Sequence, residues 1–333
     1  SEFVMLSMIV ILALFLFVTY KLYEYFFPAS LVTPNGKYVV ISGCDTGFGN
    51  GLAKELDRHG YIVIAGVYLN SMKQQLGKEL SSKATVIKLD VTKQQDIDDA
   101  FELVKSKTEN LYALVNNAGI AIGGLIDWTS MTMYREVMEV NFFGHVSMTK
   151  TFLPLLLRQS GNRVVNICSA AGCFAGPAIS AYCASKYALE AFSDSLRREM
   201  ASWELKVAII EPGFMRTKLI EGHEEALSQL WMNLATLTKE RWGETYFNAQ
   251  LKKVMNNYLI KLAQDPILVV RALQHAVSST QPKIRYRPGW QSPLLILPLS
   301  MMPAWFADMV VALLYNTSEK PAGVLKQIQQ PIE

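Results

Sequence analysis

The chain has 333 residues and a formal net charge of +3, long enough for one doubly wound domain with appendages and a sizeable core. No basic stripe interleaved with aromatics is present, so nothing points to nucleic acid. His59, His145, His223 and His275 are dispersed, and Cys44, Cys168, Cys173 and Cys183 lack ligand spacing, so no metal site is legible and buried free thiols are expected.

From Phe3 to Tyr20 the chain is almost wholly apolar and uncharged. With Leu22 to Phe27 beyond Lys21 it reaches the about 20 residues that a bilayer span takes. A cleaved signal peptide is the rival reading, but no basic region precedes the run and no small-residue cleavage site closes it. Tyr20, Tyr23, Tyr25, Phe26 and Phe27 suit an interfacial belt. The expectation is a single N-terminal membrane anchor over residues 1–28, with Ser1–Val4 before Met5 resembling a cloning remnant. Lys21 and Lys37 favour a cytoplasmic position for the remainder.

Residues 38–42 are apolar and β-branched and read as a buried strand. They run into Gly43-Cys44-Asp45-Thr46-Gly47-Phe48-Gly49, after which Leu52, Ala53 and Leu56 recur at helical spacing. In a strand–turn–helix context, Gly43 suits a tight turn, Gly47 a close backbone approach to a pyrophosphate, and Gly49 packing of helix on sheet. The helix N-terminus then offers free N–H groups and a favourable dipole to the anion. Further strands are expected at 61–67, 85–89, 112–115, 163–167 and 206–210, with a helix at 97–107. Alternating units of this kind predict an α/β fold, a doubly wound parallel sheet with helices on both faces. Ligands bind at the carboxyl ends of such strands. There the sequence places Asp90-Val91, Asn116-Asn117-Ala118-Gly119, Ser169 and Pro212-Gly213.

Tyr182 and Lys186 stand four residues apart, on one face if helical. A phenol titrates near ~10 and is a poor base at neutral pH; a neighbouring ammonium favours its ionised form. Working near pH 7 needs a shift of roughly 3 units, about 4 kcal/mol, so a second positive charge beside Lys186 is expected.

Taken together, Gly43-x-x-x-Gly47-x-Gly49, Asn116-Asn117-Ala118-Gly119, Ser169, Tyr182-x-x-x-Lys186 and Pro212-Gly213 resemble the short-chain dehydrogenase/reductase pattern in order and spacing, with Ser169 preceding Tyr182 by 13 residues. Glu190–Arg198, Val207–Gly213, Trp242–Phe247 and Arg285–Trp290 are similar to the retinol and hydroxysteroid dehydrogenase branch. The resemblance implies a Rossmann-type catalytic domain over 36–290. It gives Tyr182 the role of general acid/base, Lys186 that of lowering its pKa and holding the nicotinamide ribose, and Ser169 that of steadying the substrate oxygen. Asn141 would position a water that links Lys186 to solvent. Cofactor contacts would come from Gly43, Asp45, Thr46, Gly47, Phe48, Gly49, Asp90, Val91, Asn117, Ala118, Gly119, Tyr182, Lys186, Pro212, Gly213 and Thr217. Asp90 and Val91 would meet the adenine, and Thr217 the carboxamide.

No cation stands at 67–70 or in the glycine turn, and Asp45 would repel a 2′-phosphate; the branch likewise implies NAD rather than NADP. A homo-oligomer built through the helices bearing Asn141 and Tyr182 is also implied, as is an endoplasmic reticulum or other intracellular membrane. Residues 217–266 occupy the family's substrate-lid position and are rich in Leu, Trp and Met, which suits a lipophilic alcohol or ketone. Two alternatives stay open. One is a D-3-hydroxybutyrate-type enzyme, with Lys218, Lys239, Arg241 or His223 as the cation for a small acid. The other is a catalytically silent scaffold. Residues 291–333 read as a membrane-associated or packing segment. Pro293, Pro298 and Pro303 interrupt it before a short helix at Ala304–Tyr315, and Asn316-Thr317-Ser318 fits the glycosylation pattern.

Overall fold

The computed structural model describes residues 29–218, 222–315 and 317–329, with scattered positions between Met5 and Phe26. The expected anchor at 1–28 lies largely outside the described residues, as does Asn316. Among the described residues no helix is long and apolar enough to cross a membrane.

The first half alternates strand and helix: β1 Tyr38–Ile41, α1 Gly47–Arg58, β2 Ile62–Val67, α2 Asn70–Glu79, β3 Thr85–Lys88, α3 Gln94–Lys107 and β4 Ala113–Asn116. There follow α4 Met131–Met138, a π-turn at Glu139–Phe143, α5 Gly144–Leu156, β5 Arg163–Ile167, α6 Ser180–Glu199 and β6 Lys206–Ile210. Beyond β6 come α7 His223–Met232, α8 Thr236–Trp242, α9 Glu244–Met255, α10 Ile267–Ser278, β7 Arg285–Tyr286, α11 Ala304–Tyr315 and α12 Ala322–Gln329. The seven strands form one parallel sheet in the order β3-β2-β1-β4-β5-β6-β7. Sequence reading gave six strands; β7 is too short for a periodic signal. The C-terminal helix follows Pro303, but Pro293 and Pro298 do not break the stretch before it, which runs helically through a π-turn at Ser292–Ile296 into Leu297–Ser300.

The continuous apolar runs are explained by burial on both faces. Val39, Ile41, Val63, Ala65, Val115 and Val165 point to one side, against Leu52 and Leu56 of α1 and Val269 and Leu273 of α10. Val40, Ile64, Leu114 and Val164 point to the other, against Ile97 and Val104 of α3 and Met148 and Phe152 of α5. Each such side chain contributes about 1.5–3 kcal/mol on burial. A one-residue slip would exchange the faces, so the pattern fixes register and, with it, which residues emerge at the strand ends.

Arg163 is a buried guanidinium with a structural task. It donates to the carbonyls of Ala276 (3.2 Å), Val277 (2.8 Å) and Ser279 (2.8 Å), and lies over the Tyr112 ring. The positive charge thus satisfies the orphan carbonyls at the C-terminus of α10. Arg163→Met is expected to lower the unfolding free energy by about 3 kcal/mol, because buried carbonyls lose their donors. Denaturant titration checks this; an unchanged midpoint would refute it.

Candidate active site

The chain reverses its direction of travel across the sheet between β1 and β4, the switch point at whose carboxyl side such sheets bind ligands. Gly43 follows β1 with φ +69°, and a Cβ there would lie 2.7 Å from Ala118 Cα. The Ser42 hydroxyl accepts from the N–H groups of Asn117 (3.0 Å) and Ala118 (3.1 Å). Asn117 Nδ2 donates in return to the carbonyls of Ser42 (3.0 Å) and Gly43 (2.9 Å). Gly49 packs under this clamp, where a side chain would strike Asn117 and Gly43. Gly47, with φ +65°, opens instead on empty space. Thr46 precedes α1 without capping it, and Phe48 packs, half-buried, against the core. An uncapped helix start beside a glycine that leaves its approach clear fits a pyrophosphate.

Asp45 does more than line this turn. Its carboxylate accepts from the N–H groups of Tyr68 and Leu69, both at 2.8 Å, which fixes the loop after β2. Asp90 spends Oδ1 on the amide and hydroxyl of Thr92. Val91 is nearly buried against α5 at Gly144.

On the other wall, the π-turn brings Asn141 to the loop after β4. Its Oδ1 accepts from Ile120 N (2.8 Å), and its Nδ2 donates to Ile120 O (2.9 Å) and Ser185 Oγ (3.0 Å). Ser185 donates to the Tyr182 carbonyl (2.7 Å). The Asn141 side chain therefore holds two elements together and has little capacity left to orient a water itself. Lys186 is 3 % exposed; its Nζ donates to Ile167 O (2.8 Å) and lies 5.6 Å from the centre of the Tyr182 ring. A Cβ on Gly119 would meet both Asn141 Oδ1 (3.4 Å) and Lys186 Nζ (3.9 Å). Ser169 Oγ accepts from Ala171 N (3.1 Å), and its hydroxyl lies close enough to the Tyr182 phenol to pull that phenol's pKa down. Asn141, Ser169, Tyr182, Lys186 and Gly119 are thus brought together as expected.

Charge in the site departs from the simple expectation that Lys186 leaves Tyr182 with a lowered pKa. Burial pushes the Tyr182 phenol up to about 12, against a downward pull from the Ser169 bond. Burial also lowers the Lys186 ammonium, partly opposed by the charges of Cys168 and Glu190. The chain alone thus holds the phenol protonated. All four cysteines are free, and burial raises every thiol.

Sequence reading missed Ser42 and His145. A strand-end Ser before the glycine turn was a usable signal for the first; a lone His gave none. His145 is fully buried, with Nε2 2.7 Å from the Ala118 carbonyl. Burial first, and then Lys186, push it down to about 3.

The loop after β6 supplies Pro212, whose carbonyl accepts from Ala170 N (2.9 Å), and Gly213, pressed against Gln291. Thr217 turns its hydroxyl onto Met215 O (3.4 Å) in the same loop. Leu227, Leu230 and Phe247 pack on Trp128. Leu230 reaches Gly124, whose N–H donates to the Ala178 carbonyl (2.8 Å) just before α6. Asp127 Oδ2 takes both Arg241 (2.6 Å) and Trp242 Nε1 (2.7 Å), while Lys239 donates to Met232 O (2.7 Å). Two of the cations considered for a small acid are therefore already engaged. Lys218 is exposed, and the side chain of His223 lies outside the described residues.

Residues 37–227 match the short chain dehydrogenase family. The chain is 39 % identical to retinol dehydrogenase 7 of Mus musculus, covering 87 % of this chain and 91 % of that protein. It is 40 % identical to retinol dehydrogenase 5 of Homo sapiens (82 % and 87 % covered) and 37 % identical to 17-beta-hydroxysteroid dehydrogenase type 6 of Bos taurus (83 % and 87 %). A short-chain dehydrogenase/reductase from Burkholderia phymatum solved in complex with NAD shares the fold, with TM-score 0.67, 18 % identity and coverage of 86 % of this chain and 98 % of that one. A short-chain dehydrogenase from Streptomyces avermitilis does so with TM-score 0.65, 24 % identity and coverage of 91 % and 100 %. Fold and relatives define an alcohol oxidoreductase that uses a nicotinamide cofactor. The chain belongs to the short-chain dehydrogenase family, in its retinol and hydroxysteroid dehydrogenase branch.

Two outcomes are expected. Gly49→Ala forces the Asn117 clamp apart and weakens dinucleotide binding at least tenfold by calorimetry, about 1.4 kcal/mol; unchanged affinity would contradict the cradle. The second concerns acid. His145 stays neutral in the folded chain, whereas its ordinary value is 6.5. Below that pH the unfolded chain binds a proton the folded chain refuses, so acidification favours unfolding. The contribution is about 2 kcal/mol by pH 5. His145→Gln should lose less stability than the parent between pH 7.5 and 5; equal slopes in paired denaturant titrations would refute this.

Proposed function

We propose that the protein is a membrane-anchored, NAD-dependent dehydrogenase of lipophilic secondary or allylic alcohols, retinol and hydroxysteroids being the substrate class of its relatives. The single observation that carries the reading is the convergence of Ser169, Tyr182, Lys186 and Asn141 beside a glycine cradle at the β1–β4 crevice. Ser169 holds the alcohol oxygen and Tyr182 takes its proton. Lys186 holds the nicotinamide ribose and favours the phenolate, and Asn141 keeps Lys186 facing Gly119. An oxidised nicotinamide bound there would supply the hydride acceptor and the positive charge that the phenol needs.

NAD is preferred over NADP because Asp45 sets a carboxylate against the loop after β2, where a 2′-phosphate would be repelled. A lipophilic substrate is supported by the apolar lid over Trp128 and by the engagement of Arg241 and Lys239 elsewhere. The apolar N-terminal stretch supports an anchor that places the enzyme where such a substrate is concentrated.

Turnover of retinol, a hydroxysteroid and 3-hydroxybutyrate, each with NAD and with NADP, tests the reading. Lipophilic alcohols with NAD are expected to dominate; exclusive use of the acid would sink it. Tyr182→Phe is expected to lower kcat by about 10²–10⁴ while the protein still binds NAD. Full activity in that variant would remove Tyr182 from its role.

A further inference from the structure

Three stretches that mark the branch have no part in the site so far: the Glu190–Arg198 segment of α6, Glu211 just before Pro212-Gly213, and Arg285 to Arg287 in and after β7. The fold gathers their charges into one cluster. Arg285 is its hub, with Nε 2.8 Å from Glu211 Oε1 and a terminal nitrogen 3.0 Å from Glu190 Oε2 and 3.2 Å from Asp194 Oδ2. Arg287 Nε lies 2.7 Å from Glu211 Oε2. Glu211 is 1 % exposed; burial and then the Glu190 charge push it up to about 7 despite both guanidiniums. Burying such charges is a weak route to stability, and fixing register is a better-attested use.

What this cluster holds in register is the catalytic helix. Glu190 lies one turn beyond Lys186 on α6. A Cβ on Gly172, three residues after Ser169, would meet Glu190 Cγ at 3.0 Å and the Lys186 carbonyl at 3.1 Å. The backbone that carries Ser169 therefore rests on the turn joining Lys186 to Glu190. The Glu190 charge also acts at this distance, raising both the Cys168 thiol and the Lys186 ammonium.

We propose that Glu190, clamped by Arg285 and through it by Glu211, is a positioning residue that keeps Lys186 charged and in place. The inference rests on the reading above, in which Lys186 serves Tyr182. The groups facing Lys186 are Tyr182 and Glu190 on its own helix, Cys168 just after β5 and His145 from α5. His145 is neutral and Cys168 keeps its proton, so Glu190 is the carboxylate whose charge supports the ammonium against the burial that lowers it. Arg285 tempers that carboxylate, Asp194 and Glu211 share Arg285, and Arg287 pairs with Glu211.

The test is the pH profile of kcat/KM for a lipophilic alcohol at saturating NAD, in the full chain and in Glu190→Gln, Glu190→Asp and Arg285→Met. The alkaline limb, where Lys186 loses its proton, should move down by about one unit in Glu190→Gln and stay in place in Glu190→Asp. It should move up in Arg285→Met, which leaves the Glu190 charge uncompensated. Mere loosening of α6 does not give shifts of opposite sign from the two halves of one ion pair. Unmoved limbs, or shifts of the same sign, overturn the inference. If thermal melting shows that one charge-removing variant does not fold, the sign of the other decides. An active parent with unmoved limbs counts against this inference alone; a parent with no alcohol turnover at any pH overturns the reading of the site as well.

Discussion

Between the ends of β1 and β4 there is no room for a methyl group. Glycine at 43 lets the two loops touch, and contact lets each supply the other's hydrogen bonds through Ser42 and Asn117. That contact fixes Ala118 and Gly119. His145 then grips the Ala118 carbonyl, Asn141 grips Ile120 on both backbone sides, and Lys186 comes to rest facing Gly119. The cradle and the reactive side chains are thus two faces of one close approach. A change at the turn would be felt at the lysine without touching it.

The same packing sets the electrostatics. Lys186 is enclosed with a carbonyl for a partner, and Glu190, whose charge acts on it, is already shared with a guanidinium. An ammonium so placed is costly and therefore responsive to small changes of field. Tyr182 is enclosed too, and burial outweighs the help from Ser169. The arithmetic of a phenol working near neutral pH, which demanded a second positive charge, is answered by a site whose own residues leave that charge to be supplied.

Much of this was legible in the sequence because the sheet is buried on both faces. Apolar β-branched runs gave β5 and β6 their observed bounds. Two other strands begin one residue later than their apolar runs. Tyr61 and Tyr112, the residues before these strands, stack on each other at 6.0 Å and are buried by that packing. The site residues showed because glycines, Ser169 and the Tyr182–Lys186 pair occur at fixed intervals. The π-turn, the Asp45 bonds to the loop after β2 and the ionic cluster on Arg285 were not legible. The Asp45 bonds and the cluster join residues far apart in the chain, and the π-turn is one wider turn inside a helical run, so no local period records any of them.

A phenol that keeps its proton until help arrives has a consequence for the order of events. On the proposed reading, an alcohol that enters an empty enzyme meets an acid, and nothing happens to it. Reactivity then follows the oxidised fraction of the surrounding dinucleotide pool rather than the amount of alcohol stored nearby. An enzyme placed beside a large lipid reservoir would in this way be paced by the cell's redox poise.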